Sequence, residues 1–247
     1  MNLIFSTALP RSGTSLFTRS LSENKQVMMA VGPNIEIYRY HRDSIIRKYG
    51  SKHLKKKINN KSPIQDYFGS KHKNELLKLM LNSSLEERFE KKLWESFLKH
   101  SKNRIDHDSS DLIKSFSKLK GETYKEIIIN LIKIIKHERK SYKRKYNGFN
   151  ESWNICSLKS MAKAFPKAKF FVIIRDPRAI WAALEKNASK RNELRVQLLS
   201  FIRHFRKYII LSNHYLNLPI FKDRLMIYKY EDLITCPEKT LKNICKF

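Results

Sequence analysis

The sequence predicts an α/β fold: one domain over residues 1–247, built on a three-layer parallel sheet with a helical, basic insertion at about 41–150. Three segments carry that expectation. Leu3-Ile4-Phe5 leads through Ser6 to Gly13 into Thr14-Ser15-Leu16-Phe17, a strand, a loop and a helix. Lys169-Phe170-Phe171-Val172-Ile173-Ile174 is a short continuous apolar run between Pro166 and Pro177, as expected for a strand buried on both faces. Leu225-Met226-Ile227-Tyr228 precedes a helix opening at Pro237. Strands that alternate with helices in this way make a parallel sheet.

The elements follow in order. The first helix takes Thr14 as its cap, and Leu16, Phe17 and Leu21 give it helical spacing. From about Asn34 to Tyr146 the pattern changes to polar helices. Leu76, Leu77, Met80 and Leu81 form one apolar face, and Leu85, Phe89, Leu93 and Phe97 follow at a four-residue step. Tyr124, Ile127, Ile128, Leu131, Ile132 and Ile135 form another; the interleaved Lys and Glu favour a helix over a strand. Residues 157–165 read as a helix that stops near Pro166, and Pro177 starts the next one. Across 195–212 the apolar positions are Leu198, Leu199, Ile202, Phe205 and Ile209.

Composition narrows the function classes. Hydrophobic residues at 41% are enough for a core, which excludes wholesale disorder. No apolar run reaches the ~20 residues of a membrane-spanning helix, and Met1 to Phe5 is too short for a signal-peptide core, so a cytoplasmic location is expected. Cys156, Cys236 and Cys245 form no C-x-x-C pair, which reads as reduced thiols with neither a disulfide framework nor a zinc site. The net charge of +28 suggests an anionic partner. Most of the excess is lysine, and a solvated lysine coat accounts for it as well as a functional basic face does. No nucleic-acid module is recognisable, and Lys55-Lys56-Lys57 is too short to decide anything.

Pro10-Arg11-Ser12-Gly13-Thr14-Ser15 lies where an open α/β sheet binds its ligand, at a strand's carboxyl end. Gly13 lets backbone approach an anion, and the helix N-terminus offers unpaired N–H groups. Thr14 and Ser15 add hydroxyl donors, and Arg11 adds a forked, permanent cation. The nucleoside-triphosphatase pattern G-x-x-x-x-G-K-[ST] is absent, since no Lys precedes Thr14. An ordinary turn with a capped helix is the alternative.

The stretch Pro10 to Leu16 resembles the phosphosulfate-binding loop of the sulfotransferases, in the branch that carries Arg where other members carry Lys. Ala168 to Ala179, with Arg175-Asp176-Pro177-Arg178, is similar to that family's second nucleotide-contacting strand and loop. Tyr228-Lys229-Tyr230-Glu231-Asp232-Leu233, with Pro237, Glu238 and Leu241, resembles its late strand-and-helix element. The resemblance implies a sulfotransferase-type sheet, the donor 3′-phosphoadenosine-5′-phosphosulfate (PAPS), no metal, and transfer of a sulfuryl group to a hydroxyl acceptor, a carbohydrate or another small hydroxyl compound. It implies a 5′-phosphate cradle of Ser12, Gly13, Thr14 and Ser15, with Arg11 at the leaving oxygen and Arg175 at the 3′-phosphate. A salt bridge to Asp176 or Glu231 is the other reading of Arg175, and Arg178 is a lesser candidate. Relatives that act on protein tyrosines use a Glu shortly after the first helix as base, which points to Glu36, with His41 and Asp43 in reserve.

Three features depart from the family pattern. Ala183 stands where a Ser usually shares the 3′-phosphate. The chain stops at Phe247 inside its final helix, which reads as a truncated or shortened enzyme. Residues 41–150 match no acceptor-binding segment. The rival readings are a nucleotide-dependent kinase, which the loop lacks the Lys for, and a non-catalytic polyanion-binding or nucleic-acid-binding protein.

Overall fold

The computed structural model describes residues 2–56, 58, 73–191 and 197–247. Five strands form one sheet: β1 (Asn2–Ala8), β2 (Val27–Val31), β3 (Tyr146–Asn150), β4 (Lys169–Ile174) and β5 (Leu225–Lys229). They are ordered β2-β3-β1-β4-β5, and every neighbouring pair is parallel. The helices are α1 (Thr14–Ser22), α2 (Glu36–Tyr49), α3 (Lys52–Lys55), α4 (Lys73–Asn82), α5 (Trp94–Arg104), α6 (Tyr124–Glu138), α7 (Leu158–Ala164), α8 (Pro177–Arg191), α9 (Leu198–Leu216), α10 (Tyr230–Thr235) and α11 (Pro237–Lys246).

Alternation along β1 divides the molecule into three layers. Ile4 and Ala8 face one core with Phe17 and Leu21 of α1, Leu233 of α10 and Ile244 of α11. Leu3 and Phe5 face the larger core, which takes in α2, α5, α6, α7 and α9. Phe5 anchors that side, with ring centroids 5.2 Å from Phe149, 5.4 Å from Phe165 and 5.8 Å from Phe170. Burying both faces requires nearly continuous apolar sequence, which is why β1 and β4 are readable as strands.

Elsewhere the structure corrects the sequence expectations. The strands β2 and β3 lie outside the three segments that predict the sheet. Tyr146–Asn150, placed at the end of the insertion, is a sheet strand beside β1, and the helices between β2 and β3 run from Glu36 to Glu138. The four-residue step from Leu85 to Phe97 is not one helix. The Ser83 hydroxyl donates back to the Met80 carbonyl (2.7 Å) as α4 ends. The chain then turns at Leu85-Glu86, and the Phe89 amide donates to the Glu122 carbonyl (2.7 Å) beside an Arg88–Thr123 bridge. Leu85 and Phe89 are still buried, so their spacing reflects burial and not helical period.

The core face of α9 also differs. Phe201, His204, Lys207, Tyr208, Leu211, Ser212 and Tyr215 point inward, while Leu198, Leu199 and Ile202 are exposed. The tyrosines turn inward because their hydroxyls reach carbonyls: Tyr208 donates to Ala8 (2.9 Å) and Tyr215 to Ile155 (2.9 Å).

Candidate active site

The carboxyl ends of β1, β3 and β4 form a rim, with the 10–15 loop and Arg175 following β1 and β4 and the start of α2 held beside β3. After Ala8 the chain turns tightly, with the Ser12 amide donating to the Leu9 carbonyl (3.3 Å). Arg11 (φ 65°) and Gly13 (φ 84°) are both left-handed. Gly13 is the N-cap of α1 and makes no side-chain cap bond. The expected Thr14 cap is therefore corrected: Thr14 is the first helical residue, and its hydroxyl is not needed to start the helix. Ser12 is 1% exposed, and its Oγ has no hydrogen-bond partner among the described residues. A buried hydroxyl in that state costs about 1–3 kcal/mol, which a ligand oxygen would recover.

Arg175, just past β4, meets the same loop. Its Nη1 donates to the Arg11 carbonyl (2.6 Å), and its guanidinium lies 4.3 Å over the Tyr230 ring. Its Nε is buried and has no partner among the described residues. The neighbouring carboxylates are engaged elsewhere. Asp176 pairs with Arg178 (2.6 Å), which holds its carboxyl down at about 2, and Glu231 accepts the Asp176 amide (2.9 Å). The Arg178 side chain is 90% exposed in that pair. Tyr230 closes the arrangement from below: a Cβ at position 13 would lie 2.1 Å from its ring. Arg175 and the loop from Arg11 to Ser15 thus stand together, joined by the bond from Arg175 Nη1 to the Arg11 carbonyl.

The β3 side of the rim holds Glu36 and several residues that the sequence reading did not single out. The Gly32 amide donates to the Asn150 carbonyl (2.8 Å), the Asn34 amide donates to Glu151 Oε1, and the Glu151 amide donates to the Ser6 carbonyl (3.0 Å). These bonds fix the start of α2 against the sheet. Glu36, its first residue, is 1% exposed, and its Oε2 accepts from Arg39 Nε at 2.5 Å. Its Oε1 has Arg104 Nε at 3.9 Å, longer than a hydrogen bond. His41 lies within the helical layer, with Nε2 3.0 Å from the Ser84 carbonyl and its ring against Tyr124; burial pushes its imidazole down to about 4. Asp43 is buried and paired with Arg42 (2.8 Å).

Beside the loop, Tyr208 Oη donates to the Ala8 carbonyl and lies 3.1 Å from Thr7 Oγ1. The Trp153 amide also donates to the Ala8 carbonyl (3.1 Å), and the Trp153 ring packs edge-on against His204 at 4.7 Å. Among the described residues, no group of three or more His, Cys, Asp and Glu could hold a metal, and no helix is long and apolar enough to cross a membrane.

Glu151 yields a pH prediction. Burial raises its carboxyl well above the ordinary value, and Asp106 and Glu36 add to the rise, against the opposing hydrogen bond from Asn34. Between the ordinary and the raised value only the folded state keeps the proton, so stability falls as pH climbs through that window. Glu151→Gln keeps an acceptor for Asn34 and removes the titration. It is expected to melt above wild type at neutral pH, with the difference closing as pH falls toward 4.5. Parallel melting curves across that range would show that Glu151 does not titrate with folding.

The sulfotransferase family profile matches residues 4–247. Among solved structures, the sulfotransferase domain from the curacin biosynthetic pathway superposes with a TM-score of 0.50 at 13% identity, covering 99% of this chain and 72% of that one. The sulfotransferase domain of the Synechococcus PCC 7002 olefin synthase gives 0.47 at 17% identity, over 100% and 72%. A sulfotransferase from Alicyclobacillus acidocaldarius gives 0.48 at 12% identity, over 100% and 80%. At 13% identity the first of these speaks to fold alone, and no curated protein matches the chain. With the profile spanning nearly the whole chain, this protein belongs to the sulfotransferase family, the PAPS-dependent sulfuryl transferases.

Proposed function

We propose that the protein moves the sulfuryl group of PAPS to a hydroxyl acceptor, a carbohydrate or another small hydroxyl compound, as a single metal-independent domain working in the cytoplasm without a nucleic-acid partner. The observation that carries this reading is the meeting of the 10–15 loop with Arg175, where two side-chain atoms, Ser12 Oγ and Arg175 Nε, are buried without partners among the described residues. Bound there, the phosphosulfate supplies an electrophilic sulfur and a phosphate leaving group. Ser12, Gly13, Thr14 and Ser15 hold the 5′-phosphate, using the α1 N-terminus and its hydroxyls. Arg11 faces the oxygen that gains charge as the sulfur–oxygen bond breaks, where a fixed cation lowers the barrier most. Arg175 receives the 3′-phosphate, and Glu36 Oε1 takes the acceptor's proton as its oxygen bonds to sulfur.

Calorimetric titration tests the donor assignment. The product nucleotide, 3′-phosphoadenosine-5′-phosphate, is expected to bind markedly more tightly than ATP or AMP; equal affinities would overturn the reading in favour of a general nucleotide or polyanion site. Arg175→Ala should weaken the 3′-phosphorylated nucleotide about ten- to a hundredfold, the worth of one charge-assisted contact, and barely affect AMP. The AMP arm matters because Arg175 also holds the Arg11 carbonyl. If both nucleotides weaken alike, Arg175 acts only through the loop.

A further inference from the structure

Ten large hydrophobic residues are exposed among the described residues, and five of them, Leu198, Leu199, Ile202, Ile210 and Leu216, lie on α9, which makes this helix a concentrated apolar surface. Leu199, Ile202, Arg206 and Ile210 follow at helical spacings of three and four, so they share one stripe. Leu199 is 66% and Ile210 56% exposed, and they are separated along the stripe by the exposed Arg203 and Arg206. No Asp or Glu occurs from Gln197 to Lys222. The opposite face, with Tyr208 and Tyr215, is anchored in the core, so this helix carries apolar residues on two sides and buries only one.

We propose that the outer face of α9 docks on an anionic lipid surface. Charge selects the class of partner. A second copy of this chain also carries +28, and two such surfaces repel. Leucine and isoleucine have no π-face on which a nucleobase could stack, so they do not suit a nucleic acid. Aliphatic side chains between arginines, on a helix with no acidic residue, suit a bilayer interface: the aliphatic groups enter the acyl boundary while the guanidinium groups meet lipid phosphates and carboxylates. The helix lies on the surface and does not cross it. The proposal does not depend on sulfuryl transfer, because the residues that reach the rim are on the buried face.

Flotation of the full chain with vesicles tests it. Binding is expected to phosphatidylcholine vesicles containing phosphatidylserine, and not to phosphatidylcholine alone. Leu199→Ser with Ile202→Ser keeps the charge and should lower partitioning about tenfold. Arg203→Gln with Arg206→Gln should lower it roughly thirtyfold, taking ~1 kcal/mol for each arginine at the surface. Ile113→Ser with Tyr142→Ser, which removes exposed apolar groups elsewhere, should leave it unchanged. Equal binding to both vesicle types, no binding to either, or wild-type binding by the α9 variants would overturn the proposal. So would a dimer in sedimentation velocity that Leu199→Ser with Ile202→Ser dissolves, since a second copy would then cover the face.

Discussion

Glu36→Gln is expected to lower turnover by roughly a hundredfold to ten-thousandfold, the contribution of a positioned base, with affinity for 3′-phosphoadenosine-5′-phosphate nearly unchanged. The substitution keeps the side chain's shape and leaves an oxygen to accept from Arg39 Nε, but an amide cannot take the acceptor's proton. Because Glu36 is 1% exposed and ion-paired, the same change could act through folding alone. Melting temperature and nucleotide affinity separate the two. A loss of turnover with both preserved identifies the base, whereas parallel losses in all three make Glu36 a structural residue. Wild-type turnover in Glu36→Gln, with loss in His41→Ala, would move the base to His41. A panel of sugars, phenols and tyrosine peptides, with labelled donor, supplies the acceptor for the assay and tests its class as well.

What the sequence revealed of the fold depended on how each strand is buried. Phe170 to Ile173 is apolar without interruption because both faces of β4 are covered, and it reads as a strand by itself. In β3 the run Tyr-Asn-Gly-Phe-Asn has no such signature, since its two asparagines are buried and bond across the sheet and to the preceding turn, while Asn147 Oδ1 is left without a partner among the described residues. Asn150 Oδ1 accepts from Ser6 Oγ (2.9 Å), and Asn147 Nδ2 donates to the Arg144 carbonyl (3.1 Å). The site divides along the same line. Arg11 to Ser15 and Arg175 follow strands that read as strands, so their place at the rim could be inferred. Glu151, Trp153 and Tyr208 reach that rim through bonds to Ser6, Thr7 and Ala8 that join distant parts of the chain, and no local spacing encodes those bonds. Part of the basic charge is structural for the same reason: Arg224 donates to the carbonyls of Ala162, Phe165, Ala168 and Ile220, tying the end of α7 to the start of β5.

Gly13→Ala is expected to cost about ten- to a hundredfold in affinity for the 3′-phosphorylated nucleotide and to lower the melting temperature by several degrees. Two effects add. At φ 84° an alanine pays about 1–2 kcal/mol for left-handed backbone, which for a chain of this size corresponds to roughly 2–8 °C. Its Cβ would also lie 2.1 and 2.3 Å from two carbons of the Tyr230 ring, so the ring must move. Moving it removes the surface beneath Arg175, which sits 4.3 Å above that ring while holding the Arg11 carbonyl. The steric and conformational parts can be separated with Tyr230→Ala. If the ring collision dominates, the double variant binds nucleotide no worse than Gly13→Ala alone, giving a coupling of about 1–2 kcal/mol between the two positions. If the left-handed backbone dominates, the two losses add. Wild-type affinity in Gly13→Ala would instead mean that the loop reshapes freely, and that the tight fit among Gly13, Tyr230 and Arg175 does not set the geometry of the donor site.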